Sequence, residues 1–188
     1  MRLFVAIDLP EDLRDRLTHL QQGLPTARWV PPENMHLTLR FIGEVDGHQA
    51  RDIDAALAQV RAERFALTLS GVDSFGSGAK PRSLWVGVQP NPALERLQSK
   101  VEKAVKSAGL PPEGRKFKPH ITLARFKGNP RERLFSYLSR NALFRAAPFT
   151  VDEFVLYSSF LAQQGAIYTP EAAYPLVRPA VDVAIPAE

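Results

Sequence analysis

The chain of 188 residues is long enough for one compact domain or two small fused lobes, and its 45% apolar and 23% charged residues exclude wholesale disorder. Its 24 Lys and Arg against 20 Asp and Glu give a formal net charge of +4, which permits a polyanionic partner without requiring one. The chain contains no cysteine, which excludes disulfide scaffolds, thiolate metal sites and cysteine nucleophiles.

One order of features occurs twice along the chain. The first set is a strand at 2–7, a helix that ends before Gly-Leu-Pro at 23–25, His-Leu-Thr-Leu at 36–39, a helix at about 48–62 and a strand that begins at Phe65. The second set is a strand at 83–88, a helix that ends before Gly-Leu-Pro at 109–111, His-Ile-Thr-Leu at 120–123, a helix at about 130–140 and a strand at 149–157. Both His-x-Thr-Leu motifs lead into an Arg-Phe pair, the second pair displaced by one inserted residue.

Five matched features in one order indicate an ancient duplication of an α+β unit. We expect two pseudo-symmetric lobes, each with a mostly antiparallel sheet and covering helices, around a central active-site cleft. The repeats would span about 1–78 and 82–178 of a single bilobal domain at 1–178, and a C-terminal tail at 179–188 would follow. The Gly/Ser-rich stretch at 71–78 predicts the loop that joins the repeats.

The two His-x-Thr motifs are candidates for acid–base catalysis. Residues i and i+2 of a strand point to the same face, so His36 lies beside Thr38, and His120 lies beside Thr122. If the pseudo-symmetry places these strands side by side, two imidazoles and two hydroxyls converge on one cleft. One imidazole can then accept a proton from an attacking water or hydroxyl, and the other can protonate the leaving oxygen of a phosphodiester. The motifs alone do not distinguish the donor from the acceptor.

The segment around the second motif is basic. Between 114 and 128 it holds no acidic residue, and its basic residues are Arg115, Lys116, Lys118, Arg125 and Lys127. Together with Phe117 and Phe126 this pattern suits a phosphate backbone with stacked bases, although a charge run is usually a solvated face. Arg125 follows Thr122 by three residues, and its fork of donors suits a phosphate beside the motif.

Other kinds of site lack their motifs. The remaining histidines, His19 and His48, belong to no pattern, and no third ligand of suitable spacing accompanies any histidine, so no metal is expected. Gly71 and Gly76 have the Gly-x-x-x-x-Gly spacing of a phosphate-binding loop, but Ser77 occupies the position at which that loop needs Lys. The N-terminal apolar run is too short for a signal peptide, and no stretch reaches the roughly 18 apolar residues of a membrane span. We therefore expect a cytoplasmic protein with no membrane contact. A monomer is a separate expectation that these features do not test.

The paired motifs resemble those of the 2H phosphoesterase superfamily and, within it, the bacterial and archaeal RNA 2′,3′-cyclic phosphodiesterases, also called 2′-5′ RNA ligases. The matching stretches are 2–10, 34–39, 41–44, 84–85, 119–125 and 156–159, with Tyr168. They follow the order of that family over nearly the whole chain.

This resemblance implies the hydrolysis of RNA 2′,3′-cyclic phosphate ends to 2′-phosphomonoesters without a metal or nucleotide cofactor. It also implies an association with reversible, ATP-independent 2′-5′ joining of tRNA fragments. By resemblance, His36 is the proton donor to the 3′ leaving oxygen, His120 accepts a proton from water, and the phosphate is bound by Thr38, Thr122 and Arg125. The candidate RNA contacts are Phe41, Arg115, Lys116, Lys118, Phe126 and Tyr157.

Two alternatives retain the same cleft. A cyclic phosphodiesterase for a small nucleotide would use the same chemistry, and salt would weaken its substrate binding much less than it weakens RNA binding through several phosphates. A non-catalytic RNA-binding module would instead keep its function after both motif histidines are replaced.

Overall fold

In the computed structural model, which describes residues 1–77, 80–163 and 165–179, the chain forms an α+β fold, as the sequence predicts. The strands are β1 (Arg2–Asp8), β2 (Ala27–Trp29), β3 (His36–Glu44), β4 (Phe65–Leu67), β5 (Leu69–Ser77), β6 (Lys80–Val88), β7 (His120–Phe126), β8 (Phe149–Val151), β9 (Glu153–Ala162) and β10 (Gly165–Pro175). The helices are α1 (Glu11–Thr18), α2 (Gly47–Leu57), α3 (Pro92–Ser107) and α4 (Arg131–Asn141).

Most of these strands belong to one antiparallel sheet. Among the described residues its order is β10-β9-β1-β3-β7-β6-β5, with β2 also paired to β7, and β4 and β8 form a separate two-stranded sheet. The two motif strands, β3 and β7, are therefore neighbours at the centre of the sheet. They meet through the pair of Leu37 and Ile121, both of which are fully buried.

The alternation of strand residues separates a core face from a polar face. Leu37 and Ile121 belong to the hydrophobic core, so the motif histidines and threonines, one position away, lie on the opposite face of the sheet. Helix α3 covers the core face with its buried residues Leu94, Leu97, Val101, Ala104 and Val105. Asn91 begins this helix, because its side chain accepts a hydrogen bond from the Leu94 N–H, and Pro92 occupies the first helical position.

The strands on the two sides of the β3–β7 junction follow corresponding orders. β3, β1 and β9 succeed one another on one side of the β3–β7 junction, as β7, β6 and β5 do on the other. β9 comes from the second half of the sequence but pairs with β1, and β5 comes from the first half but pairs with β6. This order supports the inferred duplication, while the division into repeats at 1–78 and 82–178 of one bilobal domain stays a prediction.

The predicted joining loop at 71–78 is wrong over most of its length. Residues 69–77 form β5, which pairs with β6, and Gly78 lies outside the described residues. The glycines allow irregular strand pairing there: Gly71 has φ +76°, Gly76 has φ +118°, and the β5–β6 register shifts beside each of them. A Gly-rich composition is therefore compatible with a bulged strand as well as with a loop.

Other boundaries also differ from the predictions. The strand expected at 149–157 is divided at Asp152 into β8 and β9, and the helix expected at about 48–62 ends at Leu57. The sequence analysis did not predict β2 or β10. Of the predicted C-terminal tail at 179–188, residues 180–188 lie outside the described residues.

Candidate active site

A cleft of about 590 Å³ lies on the polar face of the sheet at the junction of β3 and β7. Both motifs contribute to it, so the structure brings together six of the predicted site residues: His36, Thr38, Phe41, His120, Thr122 and Arg125. Further lining comes from β1, β9, β10 and the segment before β3, and it includes Arg2, Phe4, Asn34, Ser159, Phe160 and Tyr168.

The two imidazoles are oriented in the same way. The Nδ1–H of His36 donates to the Asn34 carbonyl oxygen at 2.8 Å, and the Nδ1–H of His120 donates to the Lys118 carbonyl oxygen at 2.6 Å. Because a carbonyl oxygen only accepts, each bond fixes the proton of the neutral ring on Nδ1 and leaves Nε2 as the reactive nitrogen. The Nε2 of His36 lies 3.1 Å from the Thr38 hydroxyl oxygen.

Matching irregularities in the two motif strands determine which later side chains reach the cleft. The β1–β3 register skips Leu39, and the β6–β7 register skips Leu123, so that two consecutive residues are buried at each place. Each bulge reverses the alternation of faces, which returns Phe41 and Arg125 to the face of the histidines. The predicted equivalence of the two Arg-Phe pairs is therefore wrong, because Phe41 and Arg125 occupy corresponding positions.

Arg40, the other arginine of these pairs, is buried away from the cleft. Its side chain is 7% exposed, and it forms ion pairs with Glu102 at 2.6 Å and Glu113 at 3.4 Å. Its guanidinium also donates to the carbonyl oxygens of Pro111 and Phe41 at 2.5 and 2.8 Å. Arg40 thus fixes the loop between α3 and β7, which leads directly into the second motif.

Burial lowers the pKa of both motif histidines below the usual value, because desolvation disfavours the charged ring. For His36, the Asn34 carbonyl and the Asp8 carboxylate oppose this effect, whereas His120 and Arg14 add to it. The His120 contribution reflects the electrostatic coupling of the two imidazoles across the cleft.

The charges around the second imidazole act differently. The bond to the Lys118 carbonyl opposes desolvation, but the charges of Lys118 and Arg125 lower the pKa of His120 further. A cationic environment favours the neutral ring, which is the form that accepts a proton.

The sequence matches the model of the 2′-5′ RNA ligase superfamily over residues 9–159. The chain belongs to this superfamily. A relative from Aeropyrum pernix, named an RNA 2′,3′-cyclic phosphodiesterase, is 39% identical over 158 residues, which are 83% of this chain and 88% of that protein. The Escherichia coli relative of the same name is 33% identical over 178 residues, which are 90% and 93% of the two chains.

Solved structures share the fold of this superfamily member. TT0787 of Thermus thermophilus aligns with a TM-score of 0.80 at 28% identity, over 95% of this chain and 99% of that chain. Escherichia coli LigT in its apo form aligns with a TM-score of 0.78 at 28% identity, over 94% and 98%. LigT has also been crystallised as complexes with phosphate and with 3′-AMP.

Five predicted RNA contacts do not line the cleft of this 2′-5′ RNA ligase superfamily member. Phe126 packs against the hydrophobic core, because the β7 bulge turns it away from the histidine face. Arg115 forms an ion pair with Glu113, an acidic residue that lies just outside the basic stretch at 114–128, and Lys116 is exposed beside it. The ammonium of Lys118 lies over Phe75 and Trp85, and Tyr157 stacks on Phe4. That any of these residues contacts RNA stays a prediction.

Three aromatic rings surround His36: Phe4 and Tyr168, which were not predicted as site residues, and Tyr157, which was predicted as an RNA contact. The ring of Phe4 lies 4.8 Å from the imidazole centroid, and the edge-on ring of Tyr168 lies 5.3 Å from it. Tyr157 stacks on Phe4 at 5.2 Å, and burial raises its pKa to about 12. These rings account for the desolvation of His36 and limit its rotation.

A second aromatic group packs against His120. Edge-on contacts come from Phe75 at 4.8 Å and Trp85 at 5.9 Å, and the ammonium of Lys118 lies over both rings at 5.2 and 4.7 Å.

A metal-binding cluster and a membrane-spanning helix are both absent from the described part of the chain. Within the ranges 1–77, 80–163 and 165–179, no three or more His, Cys, Asp or Glu side chains are grouped so that they could hold a metal ion. In the same ranges, no helix has the length and apolar character needed to cross a membrane.

Proposed function

We propose that this protein hydrolyses the 2′,3′-cyclic phosphate end of RNA to a 2′-phosphomonoester. The observation that carries the proposal is the convergence of two Nδ1-tethered imidazoles, two threonines and one arginine on a single cleft. The names of the relatives at 39% and 33% identity describe the same activity in those proteins.

The reaction needs one base and one acid on opposite sides of the phosphorus atom. The Nε2 of His120 accepts a proton from water, whose oxygen forms the new bond to phosphorus. The bond from phosphorus to the 3′ oxygen breaks, and the protonated Nε2 of His36 gives its proton to that oxygen. Thr38, Thr122 and Arg125 donate to the non-bridging oxygens, on which negative charge develops. The products are a 2′-phosphomonoester and a 3′ hydroxyl.

The charges near the two rings support this division of roles. The Asp8 carboxylate favours a protonated His36, as an acid requires. Lys118 and Arg125 favour a neutral His120, as a base requires. An incoming phosphate anion would raise the pKa of His36 and so supply the proton donor when the substrate is bound.

The direct test uses an oligoribonucleotide with a 2′,3′-cyclic phosphate end and protein treated with EDTA. We expect a 2′-phosphate, identified by ³¹P NMR, and a loss of at least about a hundredfold in kcat for His36→Ala and for His120→Ala. A 3′-phosphate product would mean that the bond from phosphorus to the 2′ oxygen breaks, which would contradict the proposed reaction. Full activity in both variants would refute the mechanism.

The cleft volume also favours a second candidate substrate, a small nucleotide with a cyclic phosphate. About 590 Å³ is within the range of small-molecule sites, and the exposed Arg115 and Lys116 lie outside the lining. Salt distinguishes the two substrates, because kcat/KM for RNA should fall steeply with salt concentration and that for a small nucleotide should not.

Ligation replaces the attacking water with the 5′ hydroxyl of a second RNA at the same phosphorus atom. The Nε2 of His120 accepts the proton of that hydroxyl, whose oxygen bonds to phosphorus, and the bond to the 3′ oxygen breaks as His36 protonates it. The product is a 2′-5′ linkage, formed without ATP. Incubating two tRNA half-molecules with the protein, and treating the product with a nuclease specific for 3′-5′ linkages, tests this extension. Absence of a nuclease-resistant junction at high RNA concentration would refute it.

A further inference from the structure

Three cations lie next to the cleft on the strand pair β2–β7. Arg28 of β2 is directly opposite Arg125 of β7, and the main chain continues this pairing to Lys127, whose N–H donates to the Thr26 carbonyl oxygen. All three side chains belong to exposed residues. We call Arg28, Arg125 and Lys127 the basic track.

The basic track has no stabilising role that the structure accounts for. Like charges directly opposite each other on antiparallel strands destabilise the pair. Within the described part of the chain, neither arginine nor Lys127 forms an ion pair with a carboxylate. Cations without a carboxylate partner among the described residues, at the edge of the proposed phosphate-binding cleft, are accordingly placed for an anionic ligand.

The track is continuous with the proposed active site. Arg125 lines the cleft together with Thr122, and Val30, which directly follows β2 and lies two residues after Arg28, lines it as well. A separate depression of about 370 Å³ begins on the other side of Arg28, and Lys127 and Thr26 are among its lining residues. A nucleic-acid strand that leaves the cleft along β2 would therefore pass Arg28 and then Lys127.

We propose that Arg28 and Lys127 bind the RNA phosphodiester on the 5′ side of the terminal nucleotide. This inference rests on the proposed function, because it takes the cyclic phosphate to lie against Arg125. It makes the basic track a determinant of substrate length: a chain of two or more nucleotides reaches it, and a mononucleotide does not. The guanidinium of Arg28 supplies paired donors to the phosphate oxygens, and Lys127 adds a second charge.

The test compares two substrates in the wild type and in Arg28→Gln and Lys127→Gln. One substrate is adenosine 2′,3′-cyclic phosphate, and the other is a trinucleotide with the same end. For Arg28→Gln we expect about a tenfold loss of kcat/KM on the trinucleotide, which corresponds to roughly 1.4 kcal/mol, and no change on the mononucleotide. The slope of log kcat/KM against log salt should become shallower by about 0.7 for the trinucleotide.

A neutral methylphosphonate at the linkage next to the terminal nucleotide locates the contact. On this trinucleotide the kcat/KM of the wild type should fall by the same factor of about ten, and the kcat/KM of Arg28→Gln should not fall further. Arg96→Ala is the control, because Arg96 is an exposed arginine of α3 on the opposite face of the sheet. It should behave as wild type on all three substrates.

Three results would overturn the inference. Arg28→Gln could lose kcat/KM equally on the mononucleotide and the unmodified trinucleotide, or lose it on neither. The methylphosphonate could also lower the kcat/KM of Arg28→Gln as much as it lowers that of the wild type. If the wild type hydrolyses neither substrate, the proposed function fails separately. The binding of the trinucleotide with a 2′-phosphate end, measured by fluorescence anisotropy, then decides the inference. Unchanged affinity in Arg28→Gln would refute it.

Discussion

Replacing Arg40 with leucine tests the buried ion-pair network that supports the second motif. The guanidinium contacts Glu102 and Glu113 at 2.6 and 3.4 Å, and it donates to the carbonyl oxygens of Pro111 and Phe41. Leucine fills much of the buried space but removes the cation beside Glu102, leaves Glu113 with its ion pair to Arg115, and leaves the Pro111 carbonyl without this donor.

The expected cost follows from the burial of the partners. Removing one member of a fully buried ion pair costs about 3–5 kcal/mol, because the other charge remains buried and uncompensated. The side chains of Glu102 and Glu113 are 20% and 29% exposed, so water relieves part of this penalty. We therefore expect a loss of about 2–3 kcal/mol, which for a domain of this size lowers Tm by roughly 5–10 °C.

Differential scanning calorimetry of Arg40→Leu and of the double variant Arg40→Leu/Glu102→Gln measures this cost. The double variant should recover about half of the lost stability, because the orphaned carboxylate is removed. Arg96→Leu, at an exposed position of α3, is the matched control and should change Tm by less than about 2 °C, within the range of ordinary surface substitutions. A fall below about 2 °C for Arg40→Leu, or no recovery in the double variant, would refute the reasoning.

Three further predictions concern pH and backbone strain. Because the pKa values of His36 and His120 are both lowered, kcat/KM should follow a bell-shaped pH profile with its maximum below pH 6.5, and a maximum above about pH 7.5 would contradict the burial argument. For the same reason the unfolded chain binds more protons near pH 6, so the free energy of unfolding should fall as the pH drops through 6.5; urea titrations should show a smaller fall for His36→Gln. Gly76→Ala places a Cβ atom 2.4 Å from the Lys80 carbonyl oxygen at φ +118°, so it should lower the free energy of unfolding by about 2 kcal/mol or more. Gly114→Ala is the control, because its Cβ atom meets no atom within 4 Å. Equal urea midpoints for the two variants would refute this difference.

The sequence was sufficient to predict which motif side chains share a face. In each motif the histidine and threonine alternate with buried aliphatic residues, so the period of two settles their common direction. The proximity of the two strands was inferred from the duplication, and the pairing of Leu37 with Ile121 places them as neighbours.

The bulges in β3 and β7 could not be predicted from the alternation of residues in the sequence. A strand of regular alternation would place Arg40 on the cleft side, where its charge would be solvated. Its burial depends on Glu102 and Glu113, which approach from α3 and from the loop after it, more than 60 residues along the chain. Because the compensating charges are remote in sequence, the local pattern did not reveal the burial of Arg40. The equal spacing of Phe41 and Arg125, each five residues after a motif histidine, was the sequence sign of their correspondence.

Phe75 and Tyr168, which pack against the imidazoles, were not predicted as site residues for a related reason. Phe75 lies in β5, whose Gly/Ser-rich composition predicted a loop, and Tyr168 lies in β10, which no repeat match identified. Each reaches its histidine only through the pairing of strands distant in sequence. Their effect on the pKa values could therefore not be predicted before the fold was known.

The central claim is that His36 and His120 act on one phosphorus atom in a shared cleft. A crystal structure with phosphate or vanadate bound tests it most directly. The account predicts an anion within hydrogen-bond distance, about 3 Å, of Nε2 of both imidazoles and of the hydroxyls of Thr38 and Thr122. An anion that contacts only one imidazole, or imidazoles whose Nε2 atoms point away from each other, would contradict it.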